Sequence, residues 1–162
     1  MRPEPNVKSF YTSDDVWFGQ PLVGALLRIP WEDLRRRQLE GLRDRGFNDL
    51  HEAYLSVFHW PGPQGLRPSE LAARRGMTRQ ALNHLLRQLE DAGYLTRSVH
   101  AGHGRETRIH LSRRGVALGR ALREIVIEVE HEWSAHLGQD RFEQLRGLLT
   151  ELAAVVAPGH DE

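Results

Sequence analysis

The chain has 162 residues, 40% of them hydrophobic and 27% charged, which is enough apolar material for one good core beneath an ordinary polar surface. It has no cysteine, so disulfides, thiolate metal sites, cysteine nucleophiles and thiol redox sensing are excluded together, and a reducing, cytoplasmic setting is expected. Its formal net charge is zero, but residues 1–66 carry 8 basic and 9 acidic groups, residues 67–114 carry 10 and 4, and residues 115–162 carry 4 and 9.

The middle segment is therefore strongly basic, net +6, and it also holds His84, His100, His103 and His110. Such a block between acidic flanks is the footprint of a phosphate-binding segment carried by helices with another task. No apolar run approaches the ~20 residues that a membrane span needs. Met1 to Phe10 has Pro3 and Pro5 but no apolar signal core, so no export and no membrane partner are expected.

Residues 1–20 read as an irregular arm. A helix is predicted from about Leu22 to Arg45, with Pro30 expected to kink or split it and Gly46 to cap it. A second helix is predicted to begin at Asp49, with Leu50, Ala53, Tyr54, Val57 and Phe58 at core spacing, and to end at the Pro61–Gly65 stretch. Pro68 suits the first position of a short helix, where its missing N–H costs nothing, and Gly76 suits the turn that closes it. Thr78 is the predicted N-cap of the next helix, Arg79 to Ala92, closed by Gly93. Tyr94 to Val99 and Glu106 to Leu111 read as strands joined by a glycine-rich turn, His100 to Arg105. Ser112 is predicted to cap a long amphipathic helix to about His136, with Val116, Leu122, Ile125, Val126, Val129 and Trp133 as its apolar side. A last helix follows Gly138, from about Asp140 to Val156, with Leu145, Leu148, Leu149 and Leu152 on its apolar side. The predicted fold is mainly α with a small β-hairpin wing: a winged helix-turn-helix plus a helical dimerisation region.

Two helices joined by a short glycine-containing turn make a helix-turn-helix, whose second helix must pack on one side and read a groove on the other. At 100° per residue, Arg79, Gln80, Asn83, His84 and Arg87 fall within an arc of about 140°, while Ala81, Leu82, Leu85, Leu86 and Leu89 fall opposite. Arginine suits guanine edges, and glutamine or asparagine suits adenine. Thr78, Arg79, Gln80, Asn83, His84 and Arg87 are thus the candidate base-reading set. Ser69, Arg97 and Arg108 are candidate phosphate contacts, and the hairpin tip offers His103 and Arg105 to a minor groove.

With those residues in hand, the sequence resembles the MarR family of transcription regulators. The resemblance rests on Leu66 to Leu71 entering the helix-turn-helix, on LLRQLEDAGYL from Leu85, on Arg105, and on Leu111-Ser112-Arg113-Arg114-Gly115, which is similar to the family's strand-to-helix join. It spans roughly residues 22 to 157. The family's wing aspartate is replaced by His103. The resemblance implies an obligate homodimer in which first and last helices interleave and two lobes read adjacent half-sites of a pseudo-palindromic double-stranded DNA operator. It also implies a small, often aromatic effector that changes the spacing of the two reading helices; Trp31, His51, Tyr54 and Trp60 are the candidate effector-binding residues. The apolar side chains of the first and last two helices independently exceed what one small lobe covers. The expected organisation is an arm and dimerisation helix over 1–48, the winged helix-turn-helix over 49–112 and dimerisation helices over 113–162.

An enzyme is not expected. His131 and His136 stand five residues apart, ~140° around a helix, and cannot easily share a metal. The hairpin histidines lack acidic or thiolate company. No phosphate loop, dinucleotide glycine pattern or nucleophile elbow occurs, and no metal or cofactor is expected. The rival reading is a winged helix used only for protein–protein contacts, which would show little salt dependence toward DNA.

Overall fold

A computed structural model describes residues 22–55, 65–102 and 104–156 of the chain. The chain divides into two units, residues 1–33 and 34–162. Helix α1, Val23–Asp44, runs through Pro30 without being split. The proline removes only the bond to the carbonyl of Leu26, and the flanking turns keep theirs. In the first unit, Leu22, Val23, Leu26, Leu27 and Trp31 recur at helical spacing and are all exposed, and Arg28 pairs with Glu32 one turn on.

In the second unit the elements follow as α2 (Glu52–Leu55), α3 (Pro68–Arg75), α4 (Arg79–Asp91), β1 (Leu95–Gly102), β2 (Gly104–Leu111), α5 (Arg113–Leu137) and α6 (Gln139–Val156). The second helix starts at Glu52, not at Asp49, because the Asp49 carboxylate is engaged elsewhere (below); Val57 and Phe58 lie outside the described residues. The breakers act as expected. Pro68 is the first residue of α3, and Gly76 closes it in the left-handed region with φ 58°, where a side chain would be strained. The Thr78 hydroxyl accepts from the Ala81 N–H at 3.2 Å and starts α4.

The core gathers Leu42, Leu55, Leu71, Leu82, Leu86, Leu89, Tyr94, Ile109, Leu118 and Val129, all essentially inaccessible to solvent. On α5 the inward row is Leu118, Leu122, Ile125 and Val129. Val116, expected inside, is exposed, since it falls off that row. The wing is longer than predicted: β1 and β2 pair antiparallel from Leu95↔Leu111 to Gly102↔Gly104, so the segment expected as a six-residue turn is mostly ladder. A ladder needs only backbone donors and acceptors, which glycine supplies as well as any residue. Leu66 adds a short third partner, exchanging backbone bonds with Ile109 at 3.0 and 2.9 Å. Tyr94, read as a strand residue, is instead the buried joint between α4 and β1.

Candidate nucleic-acid interface

Helix α4 separates its faces sharply. Leu82, Leu85, Leu86 and Leu89 are buried, while Arg79, Gln80, Asn83, His84 and Arg87 are exposed. Ala81, placed on the apolar side by the helical wheel, sits at the boundary and is exposed. Among the described residues, Arg79, Gln80 and His84 have no side-chain hydrogen bond or ion pair. Arg87 folds back only to the Asn83 carbonyl, at 3.3 Å. The face is thus rich in donors and acceptors that the described residues leave largely unused.

An open cleft of about 450 Å³ lies beside this face, lined by Arg67, Pro68, Ser69, Arg79, Leu82, Asn83 and Thr107. It brings three predicted residues together: Ser69 from the first turn of α3, and Arg79 and Asn83 from the first turns of α4. Arg67 and Thr107 were not singled out in the sequence. The signal for Arg67 was its place beside Pro68 at a helix start, where free backbone N–H groups and a cation favour an anion. Glu70 steadies that end, its carboxylate accepting from the Arg67 N–H at 3.4 Å. For Thr107 the signal was strand parity, since it shares a side of β2 with the buried Ile109.

The wing residues divide. Arg97 is engaged: its guanidinium donates to the Glu90 carboxylate of α4 at 2.5 Å, so it braces the wing to that helix. Arg108 is half-buried on β2 opposite Ser98 and also has partners. The backbone of Arg105 lies in β2 opposite Ala101, and His103 lies outside the described residues. Of the effector candidates, His51 and Tyr54 meet edge to face with ring centroids 6.2 Å apart. Trp31 is exposed on α1, and Trp60 lies outside the described residues.

The C-terminal end of α4 is fastened to the first turn of α5. The Arg114 guanidinium donates to the Ala92 carbonyl at 2.6 Å, and the Ser112 hydroxyl donates to the Gly93 carbonyl at 2.6 Å. The Ser112 N–H donates to the Tyr94 carbonyl at 3.0 Å. Gly115 packs so closely that an added Cβ would stand 2.2 Å from that carbonyl oxygen. Arg114 also lies 4.3 Å over the Tyr94 ring, and its Nη2 donates to both Asp49 carboxylate oxygens at 2.9 Å. The Tyr94 hydroxyl donates to the same carboxylate at 2.6 Å. That hydroxyl bond is the largest influence holding the Asp49 carboxyl below its ordinary range; burial, then Asp49, push the Tyr94 hydroxyl well above its own.

Residues 54–106, from Tyr54 to the wing, match the MarR family model. Over that segment the chain is similar to the MarR family's winged helix-turn-helix. The HTH-type transcriptional repressor Rv2887 of Mycobacterium tuberculosis is 32% identical over 90 residues, which cover 56% of this chain and 65% of that protein. The chain thus spans just under two thirds of the length of the curated relatives it matches. The solved structure of Rv2887 with salicylic acid is 28% identical, with a TM-score of 0.62, over 82% of this chain and 97% of that one. A DNA complex of MepR from Staphylococcus aureus aligns with a TM-score of 0.66 at 21% identity, over 85% and 100% of the two chains, which speaks for the fold alone.

Proposed function

We propose that the chain is a sequence-specific DNA-binding transcription regulator that acts as a homodimer on a pseudo-palindromic operator, as a repressor released by a small aromatic ligand. One observation carries the reading: α4 presents the side chains of Arg79, Gln80, Asn83 and His84 outward with no partner among the described residues, beside a cleft lined by Arg67 and Ser69. A helix buried on one side and hydrogen-bonding on the other fits a major groove, and arginines with a helix start beside it fit the sugar–phosphate chain.

Dimerisation is supported by α6, where Leu145, Leu148, Leu149, Leu152, Val155 and Val156 are exposed, the last two at 81% and 68%. A contiguous apolar side of that kind is covered in a stable protein, and a twofold copy is the commonest cover. The relative Rv2887 has been solved with DNA and with salicylic acid, which supports both a DNA partner and an aromatic effector. His51 and Tyr54 supply aromatic edges on which such a ligand could stack.

The test is selection of bound duplexes from a random-sequence pool, followed by salt titration of the winning operator. The reading expects a two-fold related motif and an affinity that falls steeply with salt. Arg79→Ala and Asn83→Ala should each relax base preference, costing ~1–3 kcal/mol of discrimination per lost contact. Salt-independent affinity, or no enriched motif, would point to a protein-binding winged helix instead.

A further inference from the structure

Resting on the reading that two copies of α4 address adjacent half-sites, we propose that Asp49 is a positioning residue for DNA recognition. It acts through Arg114 and Tyr94 and fixes the angle between α4 and α5.

Three segments distant in sequence converge here: the loop after α1, the joint after α4, and the first turn of α5. Asp49 is the group that addresses both others. It accepts from the Tyr94 hydroxyl at 2.6 Å and from Arg114 at 2.9 Å through each oxygen. Those bonds hold the guanidinium over the Tyr94 ring and in reach of the carbonyl of Ala92, the residue that caps the reading helix. Without the carboxylate, Arg114 keeps a neutral carbonyl and a ring face but loses its charged partner: Nη2 donates to both Asp49 oxygens while Nη1 donates to the Ala92 carbonyl, so the guanidinium is held from two sides and Asp49 supplies one of them. The clasp is half open to water, so its effect on overall stability is small and its effect is on geometry.

Small rotations matter because of leverage. A helix of this length extends about 20 Å, so a turn of about 10° at its anchored end carries the far end by about 3 Å. The far end holds Arg79; Asn83, one turn nearer the anchor, moves by about 2 Å. A displacement of that size exceeds the tolerance of a hydrogen bond to a base edge. Twofold symmetry doubles it in the separation of two half-sites.

The absence of cysteine makes a direct test clean. Ala81→Cys near the start of α4 and Glu124→Cys on α5, both exposed, take nitroxide labels. Dilution with unlabelled chain removes distances between protomers. Pulsed electron–electron resonance should give a narrow α4–α5 distance distribution in the otherwise native chain. Asp49→Asn should broaden it, and Tyr94→Phe, which deletes one of the bonds, should broaden it less. In parallel, affinity is measured for the selected operator and for one with a base pair inserted between its half-sites. The native chain should prefer the former by about tenfold or more, and Asp49→Asn should lose most of that preference. Should Asp49→Asn fail to fold by circular dichroism, Tyr94→Phe and Arg114→Lys carry the same comparison. Unchanged distance widths in the folded variants overturn the clasp. Broadened distances with an intact spacing preference overturn its role in recognition. A native chain that binds no duplex overturns the regulator reading itself, and the distance measurement still judges the clasp.

Discussion

Replacing Gly115 with alanine sets two physical effects against each other, and the structure decides the sign. Helix propensity alone predicts that the change stabilises α5 by up to ~1 kcal/mol. The added Cβ, however, would sit 2.2 Å from the Tyr94 carbonyl oxygen and 3.2 Å from Leu111 Cδ2. The nearer atom is backbone, so relief requires α5 to retreat by about 1 Å from a joint whose Ser112 N–H donates to that same oxygen at 3.0 Å. Overpacking of this kind costs ~1–3 kcal/mol, and the loss of the bond adds about 1. The net expectation is a loss of ~1–3 kcal/mol, a sizeable share of the total stability of a small protein. Gly119 supplies the control: it lies in the same helix with nothing within 4 Å of an added Cβ. Gly119→Ala should therefore gain ~0.5–1 kcal/mol. Urea unfolding at one fixed protein concentration, followed by circular dichroism, reads both variants. If Gly115→Ala proves as stable as Gly119→Ala, the close approach of α5 to the α4–β1 joint is wrong.

Three further outcomes are expected. Thr78→Ala removes the acceptor for the Ala81 N–H and should cost about 1 kcal/mol in urea unfolding, with weaker operator binding in gel-shift titration because Arg79 stands in the frayed turn. Because the Tyr94 hydroxyl bond lowers the Asp49 carboxyl in the folded chain, its stabilising contribution should be complete above the ordinary carboxylate value of about 4 and lost as pH falls through the lowered folded value; Asp49→Asn should flatten that part of the acid limb of urea midpoints against pH. Leu148→Asp or Leu152→Asp, placed where the side chain is already exposed, should leave helical content unchanged while light scattering reports half the mass. A variant that remains dimeric would remove α6 from the interface.

The helix-turn-helix was legible because each of its boundaries is set by a residue with a local reason to be there: Pro68, Gly76, Thr78, Gly93 and Ser112. The division of α4 into a buried apolar face and an exposed polar face was legible because the helical period sorts polar from apolar residues without any knowledge of the neighbours. What escaped depends on partners far along the chain. Asp49 passed for the start of a helix, yet its bonds reach residues 45 and 65 positions away. The pairing of Leu66 with Ile109 and the extension of the wing to Gly102↔Gly104 are backbone events with little side-chain signature. On α5, Val116 and Leu118 are equally apolar, and only the tertiary contact selects which row faces inward.

The zero net charge, at first at odds with a nucleic-acid partner, follows from how the two signs are used. Acidic groups of α5 meet cations of α1, the turn after it and α6: Glu132 pairs with Arg37, Glu128 with Arg45 and Glu130 with Arg146. In the basic segment, Arg97 and Arg114 are likewise spent on Glu90 and Asp49. Pairs this exposed add little stability each, but they cancel charge locally over the helices that surround the lobe. Arg79, at the start of α4, has no such anion among the described residues. A phosphate chain approaching the lobe meets the field of nearby unpaired groups, since salt screens anything beyond about 10 Å. On the proposed reading local pairing, not the sum over the chain, governs affinity, and adding one anion within reach of Arg79 should weaken DNA binding more than adding one on α6.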